Sequence, residues 1–127
     1  MTKDELLPAL CQTIINETTL PPDWEKLIMV GEMDGGSGGL GGYSFNAAGR
    51  HQAAAPRGGQ SLELLEQLHA AMLTDSPTGR PWVACLIRIG RHDGQIGVDF
   101  EYADPHRWAV TPKSLKTRIA EFMAMPV

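Results

Sequence analysis

Cysteine is scarce in this chain. Cys11 and Cys85 are the only two in 127 residues, with no CxxC spacing and no metal-ligand neighbours, so they read as reduced core residues rather than parts of a disulfide or zinc framework. Basic residues are in deficit: 11 against 15 acidic ones give a formal charge of -4. That argues against nonspecific nucleic-acid binding, whose affinity rests on neutralising phosphates with Lys and Arg; a basic partner is easier to accommodate. No apolar run approaches the roughly 20 residues that a spanning helix needs. The acidic start MTKDELLPAL lacks the charged region and following apolar region of a secretion signal. The expectation is a cytoplasmic protein without membrane or nucleic-acid partners.

What is present suits one domain over residues 1–127: 43% hydrophobic content supplies a core at this length. Charge is uneven. Met1 to Asp34 holds seven acids and two bases, whereas Pro105 to Val127 holds four bases and one acid, so the two ends suit different surfaces.

Thr2 to Glu5 has capping-box form, and Leu6, Leu7, Leu10, Cys11, Ile14 and Ile15 make one helical stripe ending near Thr18. Pro8 lies inside it, so this helix either begins later than the capping box or kinks there. Lys26 to Met33 reads as a strand, and about Leu40 to Asn46 as its hairpin partner, with the glycine-rich piece from Asp34 to Gly42 as the loop. Ala47 to Gly59 has no periodicity and reads as an exposed loop. Ser61 to Thr74 is a second helix. Thr111-Pro112 supplies a cap and a first-turn proline for a third, covering about Pro112 to Met123 and burying Leu115, Ile119 and Phe122.

Between these last two helices lies the strongest hairpin signal, WVACLIRIGRHDGQIGVDFEYAD, from Trp82 to Asp104. A type I′ turn at Asp93-Gly94 would pair His92 with Gln95, Ile89 with Val98, Arg88 with Asp99, Ile87 with Phe100, Leu86 with Glu101 and Cys85 with Tyr102. Cys85, Ile87, Ile89, Val98, Phe100 and Tyr102 then share a buried face, while Leu86, Arg88, Asp99 and Glu101 share the other. The expected fold class is α+β: a four-stranded, largely antiparallel sheet with helices packed on one face, in the order α-β-β-α-β-β-α.

Motifs for chemistry are weak. Gly36, Gly38 and Gly41 formally satisfy GxGxxG, but a strand-like run follows instead of the helix N-terminus that a pyrophosphate needs. His51, His69, His92 and His106 form no zinc spacing and read as exposed; Asp104-Pro105-His106 offers two ligands without a third. The cysteines lack an electropositive setting, and Ser37 lacks the GxSxG context. Asp99 and Glu101 form a carboxylate pair that would suit acid/base work, although Arg88 neutralising Asp99 across the hairpin explains the same residues. The expectation is no catalytic residue, no cofactor and no metal. Protein recognition is the remaining use of this face. Trp82 and Leu86 are placed on it with Asp99 and Glu101, and Asp104 and Trp108 follow at its edge, so aromatic anchors sit beside steering charges. Trp82 or Trp108 covering the core edge is the alternative.

The series Leu-Pro-Pro-Asp-Trp-Glu-Lys, Pro-Trp, the Asp93-Gly94 hairpin, Val-Asp-Phe-Glu-Tyr-Ala-Asp and the Thr-Pro-capped helix resembles the YezG-type bacterial immunity proteins over about Leu6 to Phe122. The segments Asp34 to Gly42 and Ala47 to Gly59 depart from that pattern. The resemblance implies a non-enzymatic cytoplasmic protein that neutralises a cognate toxin of a polymorphic toxin system by occlusion. Asp99, Glu101 and Asp104, with Trp82 and Trp108 as anchors, would bind a basic active-site cleft. A regulatory or adaptor domain using the same face, and a small hydrolase in which Cys11, Cys85, His69, His92 or His106 converge, are the alternatives.

Overall fold

The computed structural model describes residues 1–34 and 37–127. The chain runs α1 (Lys3–Glu17), β1 (Trp24–Asp34), β2 (Ser37–Asn46), β3 (His51–Ala54), α2 (Gln60–Leu73), β4 (Ala84–Gly90), β5 (Ile96–Glu101) and α3 (Leu115–Ala124). The α+β class is as expected, but the sheet has five strands rather than four, in the order β3-β2-β1-β4-β5 with every neighbour antiparallel. The additional strand is β3, within the stretch expected to be loop. It exists because β2 offers an unpaired edge, on which Gly42, Tyr43, Ser44 and Phe45 pair with Ala54, Ala53, Gln52 and His51.

The centre is β1. Leu27, Ile28, Met29 and Val30 are consecutive and all buried, which in a strand means that both sheet faces are covered. On one side α1 and α2 press Leu6, Leu10, Ile14, Leu65 and Leu68 onto Leu27, Met29, Cys85, Ile87 and Ile89. On the other, Trp108 and α3 press Ile119 and Phe122 onto Ile28, Val30, Phe45, Ala84 and Leu86. The expectation of helices on one face is therefore corrected: α3 takes the opposite face. Leu115, expected in the core, is exposed at the start of that helix.

Local signals explain the helices. The capping box forms, with the Glu5 N–H donating to Thr2 Oγ1 at 3.3 Å and the Thr2 N–H donating to Glu5 Oε1 at 3.2 Å, so α1 starts there and carries Pro8 inside it. Helix α2 begins after Gly59, which is left-handed and has no side chain to cap it. Glu17 of α1 does so instead, accepting from the N–H of Gln60 (3.2 Å) and from the N–H and hydroxyl of Ser61 (both 2.7 Å). Thr111 and Ser114 exchange hydrogen bonds in a turn that delays α3 to Leu115.

Strand β2 begins at Ser37, inside the glycine-rich piece expected as hairpin loop, and runs on through the strand expected at about Leu40 to Asn46. Pairing with β1 persists from Trp24↔Asn46 to Asp34↔Ser37; Gly35 and Gly36 lie outside the described residues. A Cβ at Gly42 would run into the Ile28 carbonyl, and one at Gly38 would come within 2.9 Å of Leu62 and 3.0 Å of the Met33 sulfur. Close approach of β1 and α2 therefore requires glycine at these positions.

The β4–β5 hairpin keeps its expected faces in a register shifted by two residues. Cys85 pairs with Phe100, Leu86 with Asp99, Ile87 with Val98 and Arg88 with Gly97. Of the two turn residues Asp93 and Gly94, Gly94 alone has positive φ, so no type I′ turn forms. The Gly90 N–H donates to the Gln95 carbonyl, and the Asp93 carboxylate accepts from the Gln95 N–H at 3.1 Å. An even shift preserves facial parity, which is why the core side was assigned correctly.

Helix α3 is fastened to the sheet by Lys26 of β1. Its ammonium donates to the carbonyls of Phe122 (2.9 Å), Met123 (2.7 Å) and Met125 (2.8 Å), at the negative end of the helix dipole. Burial lowers its pKa, opposing the charge that these carbonyls use. Lys26→Met keeps the apolar stem and deletes the donor. The expected outcome is a loss of about 2 kcal/mol in urea unfolding, typical of a hydrogen bond to a charged group, with protection from amide exchange falling first in α3.

Candidate functional site

The α3 face carries a groove of about 450 Å³, lined by Val30, Glu32, Gly39, Gly41, Tyr43, His106, Trp108, Val110 and Phe122. Register explains its floor. Glu32 pairs with Gly39, Gly31 with Leu40, and Val30 with Gly41; alternate positions share a face, so Glu32, Gly39, Val30 and Gly41 lie together beneath the groove. A Cβ at Gly39 would meet nothing within 4 Å, and one at Gly41 only the Ala54 carbonyl at 3.9 Å. These two glycines leave room, whereas Gly42 and Gly38 relieve contact.

The polar lip is built by the chain that leaves β5. Glu101 turns it: one carboxylate oxygen accepts from the N–H groups of Ala103 (3.0 Å) and Asp104 (3.2 Å), the other from Arg107 (2.9 Å). Asp104 accepts from the His106 N–H at 2.9 Å. These bonds bring His106 Nδ1 to 3.2 Å from Glu32 and set Trp108 into the sheet, with the Arg107 guanidinium 4.9 Å over its ring. The backbone donors, and after them Arg107, hold Glu101 below the ordinary carboxylate range.

The five residues read from the sequence as one binding face are divided by the structure. Trp82 is buried at 1% exposure on the α1/α2 side, against Phe100 at 5.5 Å and His69 at 4.8 Å, with its carbonyl 2.8 Å from His69 Nε2. Its shared face with Leu86 is corrected: regular alternation begins at Ala84, and Val83 interrupts it. Leu86 is buried under α3 rather than presented. Trp108 lies on the opposite side of the sheet from Trp82 and walls the groove. Glu101 and Asp104 organise the lip. Asp99 is apart, at the β5 edge, 3.4 Å from Arg88 as expected for a cross-strand neutralising pair.

Glu32, Gly39, Gly41 and Tyr43 were missed as site residues. The available signal was parity: glycine at every second position opposite an acidic and an apolar residue marks an unfilled sheet face.

The chemistry of a nucleophile is not assembled among the described residues. Burial pushes the Cys11 thiol up to about 11 and the Cys85 thiol to about 12, and neither thiol hydrogen-bonds a histidine. His92 pairs with Glu25 at 2.8 Å, and His106 with Glu32, toward opposite ends of β1. His69 is half-buried rather than exposed. No group of three or more His, Cys, Asp and Glu residues is placed to hold a metal among the described residues, and no helix there is long and apolar enough to cross a membrane.

The depressed Glu101 pKa makes a signed prediction. A carboxyl whose folded pKa lies below its ordinary value of 4.5 contributes stability that is present above that value and lost as pH falls through the folded pKa. Glu101→Gln should lower the melting temperature at neutral pH, and the gap from wild type should close on acidification. A constant gap across thermal melts at descending pH would contradict this linkage. The chain matches no model of a known protein family, and no curated protein matches it in sequence.

Proposed function

We propose that the chain is an immunity protein, which neutralises a cognate toxin by occluding a basic active-site cleft, and that the groove on the α3 face receives a basic side chain of that toxin. The observation that carries this reading is the pairing of an apolar recess with the Glu32 carboxylate that lines it. Val30, Tyr43, Trp108 and Phe122 suit the aliphatic stem of Arg or Lys, while Glu32, on the groove floor beside His106, suits its charged head. Asp104 adds acidic charge beside it, in keeping with the net charge of -4. Trp108 acts as the fixed apolar wall, and Glu101 as a positioning residue that orders residues 103–107.

The test is co-purification with the product of the adjacent upstream gene, followed by rescue of cells expressing that product. Gly39→Leu fills the groove from a position whose Cβ would meet nothing within 4 Å, so the fold should be retained while toxin affinity and protection fall. Glu32→Lys should weaken binding by at least about tenfold, equivalent to roughly 1.4 kcal/mol. Full protection by a folded Gly39→Leu, Glu32→Lys double variant would remove the groove from the proposal. Absence of protection by the wild type would remove the immunity reading itself.

A further inference from the structure

The two edges of the sheet are finished differently. Strand β3 has four residues and is soon followed by Pro56, whereas β5 has six residues containing neither proline nor lysine. Short strands, proline and lysine are the usual protections against edge pairing. The Glu101 carbonyl faces β4, where it accepts from the Val83 N–H at 2.7 Å, and the Gln95 carbonyl does so from Gly90. By alternation, the N–H and C=O groups of Ile96, Val98 and Phe100 point away from the sheet, and no backbone partner meets them among the described residues. Ile96 is also 42% exposed.

We infer that this edge pairs with the same edge of a second copy of the chain, antiparallel about a two-fold axis through Val98, joining two five-stranded sheets into one of ten. In that register Val98 faces Val98 of the other copy, and Ile96 faces its Phe100. All three outward-pointing residues fall in hydrogen-bonded pairs, which gives six backbone hydrogen bonds. The apolar side chains Ile96, Val98 and Phe100 meet on one sheet face. On the other, Asp99 comes opposite Gly97 and Glu101 opposite Gln95, so no like charges are opposed.

The occupant is indicated by charge. Arg88 lies over Gly97, so close that a Cβ there would be 2.7 Å from its Nη2 and 3.0 Å from its Cζ. The missing side chain of Gly97 is thus replaced by a guanidinium at the sheet edge, where Asp99 of the second copy arrives. Within one copy, Arg88 reaches its own Asp99 through Nη2 at 3.4 Å, and its Nε is buried without a hydrogen-bond partner among the described residues. Across the two-fold axis two Arg88 and two Asp99 alternate in a neutral quartet.

Sedimentation velocity over rising concentration should give a species of twice 13.8 kDa, with the amides of Ile96, Val98 and Phe100 gaining exchange protection as it forms. Val98→Pro removes the central outward donor and Asp99→Arg sets like charges together; each should be folded by circular dichroism and monomeric. Arg88→Glu should also be monomeric, and an equimolar mixture of Asp99→Arg with Arg88→Glu should restore the dimer, because each residual charge then meets its opposite. A monomeric wild type, a dimer indifferent to both Val98→Pro and Asp99→Arg, or no association in the mixture would overturn the inference. It stands independently of what the groove binds.

Discussion

Everything in this molecule follows from the burial of β1 on both faces. A central strand with Leu27, Ile28, Met29 and Val30 in succession cannot leave either side to water, since burying an aliphatic side chain is worth about 1.5–3 kcal/mol. Helices α1 and α2 satisfy one side. The other is covered by a late segment containing a single ten-residue helix, too short to span a five-stranded sheet. The cover is consequently incomplete, and its uncovered part is the groove. Lys26 decides where the cover sits, because three carbonyls at the end of α3 converge on one ammonium that β1 carries.

The same economy explains why the acidic residues differ in role despite their proximity in sequence. Glu101 lies in the cross-strand row Gly39–Glu32–Ala84–Glu101, about 10 Å from Glu32 at ordinary strand spacing. The segment from Ala103 to Trp108 bridges that gap over Ala84. Glu101 therefore works on its own chain, holding the bridge down, while Glu32 is left facing the groove with His106. Asp99, two residues earlier, is at an edge with a different neighbour and a different electrostatic setting.

Much of the fold was legible in local pattern. The capping box placed the start of α1, the apolar stripes placed α1 and α2, and alternation divided Cys85, Ile87 and Ile89 from Leu86 and Arg88. The failures have physical causes. Strand β3, HQAA, has no strand signature of its own and is held by a pre-existing edge. The glycines of β2 read as loop because their low strand propensity is outweighed by the need for close approach. The Asp93-Gly94 turn was overridden by an Asx interaction with Gln95, moving the register by two residues without exchanging faces. Placement of α3 was readable in principle: uninterrupted apolar runs at Leu27–Val30 and Ala84–Ile87 require cover on two sides, and Leu86 needed a partner. The Glu17 cap of α2 joins residues more than forty apart, and no local pattern carries it. The candidate site was legible only in part, since Trp108, Glu101 and Asp104 belong to the groove and its lip while Trp82 supports the opposite core.

Glycine loses more conformational freedom on ordering than any other residue, and β2 carries it at Gly38, Gly39, Gly41 and Gly42. The floor of the groove is thus the part of the sheet whose order costs most entropy and is repaid least by side chains of its own. Over Gly39 and Gly41 it is kept flat by backbone pairing to β1 on one side, since β3 reaches no further than Gly42. Recess and strand are accordingly one thermodynamic unit: whatever lies in the groove also stiffens the strand beneath it, and its measured affinity includes that ordering.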